Sequence, residues 1–183
     1  PCLAQNIPLV FSTVTDPLGA KLVKDLNKRT EAVTGVSDNL PIESQIQLVQ
    51  DFVPNLKTLG IIYNAGEVNS VKMVKSMHEE AQKRGIQIVE AVAGKTSDVA
   101  TAMTNLVGKV QAVYVPNDNT AVAAMNSIAQ IAEKQKLPVF AGDTGSVKAG
   151  AIATRGYDRF ALGKKAGELI LKILKGAAPG DLP

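Results

Sequence analysis

The chain has 183 residues, of which 45% are hydrophobic and 20% charged, enough to bury a substantial core and too apolar for a disordered segment. Its net charge of +3 comes from lysines spread along predicted helix faces (Lys72, Lys75, Lys83, Lys134, Lys136, Lys164, Lys165, Lys172, Lys175). They form no stripe with interleaved aromatics, which argues against nucleic acid as a partner. A single cysteine, Cys2, and a single histidine, His78, leave no internal disulfide, no Cys-based zinc site and no nucleophilic triad.

In chain order, Ile7 to Val14 reads as a strand, and the turn-rich stretch Thr34 to Pro41 as a passage between two bodies. Ile42, Ile46, Val49 and Phe52 mark one face of a helix that Pro54 stops. From Lys57 a regular series begins. The apolar runs Thr58 to Tyr63, Ile86 to Val92, Val110 to Val115 and Pro138 to Ala141 recur roughly every 26 residues, room for a crossover helix of about a dozen residues between parallel strands. Ala151 to Thr154 is a weaker fifth run.

Val71, Val74, Met77 and Ala81 share a helix face, with His78 at its edge; Ala121, Ala124, Met125, Ile128, Ile131 and Ala132 line another. Phe160, Ala166, Leu169, Ile170, Ile173 and Leu174 make a long helix ending at Gly176, and the Pro- and Gly-rich tail from Ala177 to Pro183 is a loop. No apolar run reaches the ~18 residues of a membrane span. The series closes its own parallel sheet, whereas Ile7 to Val14 stands alone. It is either an edge strand of that sheet or the last strand of a second sheet whose earlier strands lie outside this chain.

Ligands of open parallel α/β sheets bind beyond the carboxyl ends of the strands. Those ends are polar here: Ser12, Thr13, Thr15 and Asp16 after the first, Tyr63 and Asn64 after the next, Asn117, Asp118, Asn119 and Thr120 after another, and Asp143 and Thr144 after the fourth. Singly, each has a bland reading: Asp16-Pro17 and Asn64-Ala65-Gly66 are turn chemistry, and Asn119 or Thr120 would cap the helix that follows. Together, a rim of short hydroxyl, amide and carboxylate groups suits a polar small molecule. Enzyme and cofactor motifs fail. Gly94-Lys95-Thr96 has Val89 where a phosphate loop needs glycine, and Ala151 stands where the lysine should follow Gly145 and Gly150. No Gly-x-Gly-x-x-Gly or Gly-x-Ser-x-Gly occurs. The expectation is a binding protein without catalytic machinery, cofactor or metal.

The runs Ile7-Pro8-Leu9-Val10-Phe11 with Thr15-Asp16-Pro17, Val33-Thr34-Gly35-Val36-Ser37, Ile61-Ile62-Tyr63-Asn64, Asn69-Ser70, Val113-Tyr114-Val115-Pro116-Asn117-Asp118-Asn119-Thr120, Pro138-Val139-Phe140 and Gly150-Ala151, in this order, resemble the substrate-binding proteins of ABC importers. Within these, the chain is similar to the group of type I periplasmic binding fold that takes aromatic amino acids. The resemblance runs from about Ile7 to Pro183.

It implies an α/β protein of two lobes, each a Rossmann-like parallel sheet flanked by helices, with the first lobe incomplete in this chain. Residues 1–39 and 157–183 would be part of the first lobe, 40–156 the second, and the hinge would lie near 34–40 and 154–158. It further implies a protein outside the cytoplasm, periplasmic or lipid-anchored, with its export signal outside this chain. Its partners would be an amino-acid ligand in the interlobe cleft and a membrane permease, with no membrane span of its own. Cys2, preceded by Pro1 and no lipobox, reads as a free thiol.

For an α-amino acid, Asp143 would hold the ammonium, and Ser12, Thr13 and Thr15 the carboxylate. Asn64, Asn117, Asn119 and Thr120 would add amide and hydroxyl contacts, and Asp16 would touch the ligand or order its turn. Tyr63 and Tyr157 would stack on it; Tyr114, within a strand, reads as core. Two rivals remain: the ligand-sensing domain of a transcriptional regulator of the same fold, and an α/β enzyme using Asp143 or Asp118 as acid or base.

Overall fold

A computed structural model of the protein describes residues 7–26, 32–39 and 41–182. Cys2, Leu40 at the expected lobe boundary, and Pro183 lie outside the described residues. Two compact units form, one from Pro1–Asn39 with Tyr157–Pro183 and one from Leu40–Gly156.

The larger unit is a five-stranded, all-parallel sheet. Its strands are β3 (Thr58–Tyr63), β4 (Gln87–Val92), β5 (Ala112–Val115), β6 (Val139–Ala141) and β7 (Ala153–Thr154), in the spatial order β4-β3-β5-β6-β7. Alternation along β3 sorts its side chains to two faces. Leu59, Ile61 and Tyr63 join Tyr114 and Phe140 in a buried cluster with Ile46 and Val49 of α1 (Ile42–Phe52) and Met73 and Met77 of α2 (Val68–Lys83). Ile62 joins Val113, Val115 and Val139 on the other face, under Met103 and Leu106 of α3 (Val99–Leu106) and Met125 and Ile128 of α5 (Met125–Gln135).

Helices therefore cover both faces, as is usual for a parallel sheet, and only the edge strand β4 exposes Gln87, Glu90 and Val92. Gly60 lets α3 come close: a Cβ there would sit 2.8 Å from Leu106 Cδ1. Chain order reverses at β3, with β4 on one side and β5 on the other, which creates a switch point above the carboxyl ends of β3 and β5.

Within this unit the expected helix over 121–132 divides into α4 (Asn119–Ala123) and α5. The break is at Ala124, whose φ of −104° and ψ of 16° leave the helical region. No glycine or proline marks it.

In the smaller unit, β1 (Leu9–Ser12) pairs in parallel with β2 (Val33–Val36), so the first strand does not stand alone. It belongs to a two-stranded sheet separate from the five-stranded one. The Thr34 to Pro41 passage thus begins as a strand. Gly35, which suggests a turn, is instead opposite Phe11 in the register, and its missing side chain makes room for the Phe11 ring. Helix α6 (Arg159–Leu174) packs on both strands. Asp158 caps it, accepting from the Phe160 N–H at 2.8 Å, and Gly176 closes it at a φ of +99°. The tail that follows holds a 3-10 turn at Pro179–Asp181. Among the described residues, no helix is long and apolar enough to cross a membrane.

Candidate functional site

In the larger unit, the loops leaving β3 and β5 meet at the switch point, and two carboxylates organise them. Asp118, fully buried, accepts from the Asn64 N–H through Oδ2 and from the Ala121 N–H through Oδ1, both at 2.8 Å. Asp118 is therefore the cap of α4, where Asn119 or Thr120 was expected.

Glu67, just before α2, makes no cap bond to its own helix. It reaches across to the β5 loop. Its Oε2 accepts from the Asn119 N–H (3.0 Å) and Nδ2 (2.8 Å), and its Oε1 from the Thr120 N–H (3.1 Å) and Oγ1 (3.0 Å). Burial by itself raises the Glu67 carboxyl, but the hydrogen bonds from Asn119 and Thr120 outweigh it and hold the group below the usual carboxylate range.

The chain of bonds continues. Asn64 Nδ2 donates to Thr120 Oγ1 (2.9 Å) and, more distantly, to the Gly94 carbonyl (3.4 Å), while Asn64 Oδ1 accepts from the Gly66 N–H (2.8 Å). Asn69 Nδ2 donates to the Asn117 carbonyl at 2.8 Å. The structure thus brings together Asn64, Asn117, Asn119 and Thr120, around Glu67 and Asp118. Sequence reading missed Glu67. No local pattern signals its role, because it stands at the N-cap position of α2 yet bonds to a loop distant in sequence.

Asp143 follows β6, next to β5 in the sheet, and is 5% exposed; its Oδ2 accepts from Ser146 Oγ at 3.2 Å. Backbone space is short here. A Cβ on Gly142 would lie 2.9 Å from the Tyr114 hydroxyl, and one on Gly156 would lie 2.9 Å from the Gly142 carbonyl oxygen.

Tyr63 is placed differently from a stacking platform: it is 8% exposed, packed with the α1 and α2 side chains, and its hydroxyl donates to Glu90 Oε2. That bond, then burial and the Glu90 charge, push the Tyr63 hydroxyl up to about 12. His78 Nε2 lies 2.7 Å from Glu90 Oε1, and Glu90 pairs in register with Ile61, back from the rim. Tyr114 is core, as expected, its hydroxyl donating to Gln45 Oε1 at 3.0 Å, and burial raises its pKa.

In the smaller unit, Ser12 ends β1, and Thr13, Thr15 and Asp16 lie in the loop that follows. Thr13 has a φ of +53°, a left-handed conformation that a β-branched residue rarely adopts; such strain gathers at functional sites. Its Oγ1 donates to the Ser12 carbonyl at 2.7 Å. Thr15 Oγ1 donates to Asp38 Oδ1 at 2.8 Å, tying the β1 loop to the segment that follows β2. Asp16 is buried, and its carbonyl accepts from the Ala20 N–H at 2.9 Å. Tyr157 is half exposed, and its hydroxyl donates to the Asn39 carbonyl at 3.3 Å. Among the described residues, no group of three or more His, Cys, Asp or Glu side chains could hold a metal ion.

The model of a family described as ABC transporter substrate binding protein matches residues 3–183. A tyrosine-binding protein of Clostridioides difficile (strain R20291) is 42% identical over 179 residues, covering 98% of this chain and 52% of that protein. Among solved structures, a conserved domain protein of Vibrio cholerae superposes with a TM-score of 0.91 at 40% identity, covering 96% of this chain and 59% of that one. An ABC domain in complex with L-Trp from Streptococcus pneumonia superposes at 0.90 with 36% identity, covering 96% of this chain and 60% of that one. The chain spans about half the length of the first of these relatives.

Proposed function

Because the chain belongs to the ABC transporter substrate binding protein family, we propose that it is the ligand-holding part of an importer's binding protein whose ligand is an aromatic amino acid. The observation that carries this reading is the polar rim at the carboxyl ends of the parallel strands, in a chain whose lone histidine pairs with Glu90 away from those ends. Relatives named for tyrosine and crystallised with L-Trp support the ligand class. Family membership favours import over the regulator reading. Against an enzyme, both Asp118 oxygens are engaged by backbone N–H groups, which leaves that residue poorly suited to acid-base work.

The two units are proposed as the lobes of the full-length protein, the smaller one being part of the first, with residues 34–40 and 154–158 as the hinge. Asp143 holds the ligand's ammonium. Ser12, Thr13 and Thr15 serve its carboxylate, with Asp16 ordering their loop. Asn64, Asn117, Asn119 and Thr120 form the rim of the second lobe, Tyr157 of the first lobe is the aromatic group proposed to stack on the ligand, and buried Tyr63 supports the core beneath the rim. Closure about the hinge would favour the liganded state, which the permease then recognises outside the cytoplasm.

Titration calorimetry on the full-length protein with L-tyrosine and L-tryptophan tests this. Binding of at least one, weakened tenfold or more by Asp143→Ala, is expected. No binding of either would sink the ligand class; unchanged binding by the variant would sink the ammonium assignment alone.

A further inference from the structure

We propose that Glu67 is a positioning residue that sets the hydrogen-bonding polarity of the rim, so that Asn119 presents its amide oxygen, and not its nitrogen, to the ligand. This rests on the amino-acid-binding reading and goes beyond it to what the rim selects.

An ionised carboxylate can only accept hydrogen bonds, whereas hydroxyl and amide groups can act either way. Glu67 is the acceptor-only end of the β3–β5 network. Its Oε1 takes the Thr120 hydroxyl proton, which turns the Thr120 lone pairs toward Asn64 and draws in the Asn64 Nδ2. Asn64 Oδ1 is then left to accept from the Gly66 N–H. The direction of Thr120 is thus set by this charge, and Asn64, held in the same sense by the Gly66 N–H and the Gly94 carbonyl, continues it.

The same carboxylate fixes Asn119. Oε2 takes both the Asn119 N–H and Nδ2, and rotating that amide by half a turn would set Oδ1 against Oε2. Asn119 is exposed at the rim, so its amide oxygen becomes the group it offers outward. An outward acceptor adds to the Asp143 carboxylate in welcoming a ligand ammonium and opposes a ligand that brings only acceptors there, since an unmatched polar group at a binding site costs affinity.

Glu67→Gln keeps the shape of the side chain but loses the direction. Its amide both donates and accepts, so Thr120 and Asn119 can each reverse, while Asn64 stays held by the Gly66 N–H. The test is calorimetry on the full-length protein with L-tyrosine and with 3-(4-hydroxyphenyl)propionate, which lacks the amino group. The parent protein is expected to prefer L-tyrosine strongly. Glu67→Gln should shrink that preference tenfold or more, Asn119→Ala should shrink it similarly, and Glu67→Gln should add less than twofold in the Asn119→Ala background. A merely structural role would lower the melting temperature and weaken both ligands equally, leaving the ratio unmoved.

An unchanged ratio in folded Glu67→Gln, or a full Glu67→Gln effect without Asn119, overturns the inference while leaving amino-acid binding intact. Failure of the parent protein to bind L-tyrosine or L-tryptophan overturns both. Should Glu67→Gln fail to fold, Asn119→Ala decides alone: an unchanged ratio there overturns the inference.

Discussion

Replacing Asp118 with alanine tests how the switch point is held. The side chain is fully buried, and its two oxygens each lie 2.8 Å from a backbone N–H, that of Ala121 in α4 and that of Asn64 after β3. Ala121 is also fully buried, so its N–H would lose a charged partner with no route to water; such a loss costs ~2 kcal/mol. Asn64 is half-buried, water can partly replace its partner, and ~1 kcal/mol is the larger unit's expected loss there.

Asp118→Ala should therefore destabilise the larger unit by about 3 kcal/mol, on the order of 10 °C in Tm. Asp118→Asn, which keeps one acceptor for the α4 cap but sets an NH2 against the Asn64 N–H, should lose about half as much. Urea denaturation followed by far-UV circular dichroism measures both. A loss below ~1 kcal/mol for the alanine variant, or equal losses for the two variants, would refute the assignment of Asp118 as a shared acceptor.

Two further outcomes follow from side-chain pairs in the same unit. Tyr114→Phe removes the proton that Gln45 Oε1 accepts inside the core, and it should cost about 1–2 kcal/mol in the same denaturation assay, with little effect on the fold. The Tyr63 hydroxyl, with His78 adding to it against the effect of burial, holds the Glu90 carboxyl below its ordinary value of 4.5. A carboxyl lowered in the folded state contributes stability that is present above its unfolded pKa and is lost as pH falls through its folded one, and Glu67 has the same sign. Stability should thus decline on acidification below about pH 4.5, less steeply in Glu90→Gln; equal slopes for the two proteins would contradict this.

Much of the larger unit is legible because its signals are local. The β-branched run Thr58 to Tyr63 is a strand with those same limits, and the Ile42 to Phe52 periodicity ends where Pro54 requires. What escapes reading depends on partners distant in sequence. Val33–Val36 is a strand because β1 lies beside it and Phe11 covers Gly35; alone, Thr34-Gly35 is turn chemistry.

The break at Ala124 has no local cause in residue type. At the rim, a parallel sheet makes strand ends predictable, so the polar residues could be found. Their pairing could not: Glu67 looks like a first-turn residue of its own helix, and only the arrival of the β5 loop diverts it to Asn119 and Thr120.

The two rim carboxylates differ in what they face, and that difference separates stability from selectivity. Asp118 is buried and bonded to main-chain N–H groups, whose positions belong to the fold; removing it exposes a deficit that the fold itself must absorb. Glu67 is half-buried and accepts from the Asn119 and Thr120 side chains as well as from their N–H groups, so its neutral isostere sets an NH2 against one of those N–H groups, a deficit that water can partly fill at exposed Asn119, and releases the side-chain polarity. A rim whose amides and hydroxyls are already ordered spends less conformational entropy when a ligand arrives. It also presents fewer unengaged groups. On the proposed reading, the larger unit would contribute to binding less through the number of its contacts than through their fixed direction, with Glu67 as the group on which that direction depends.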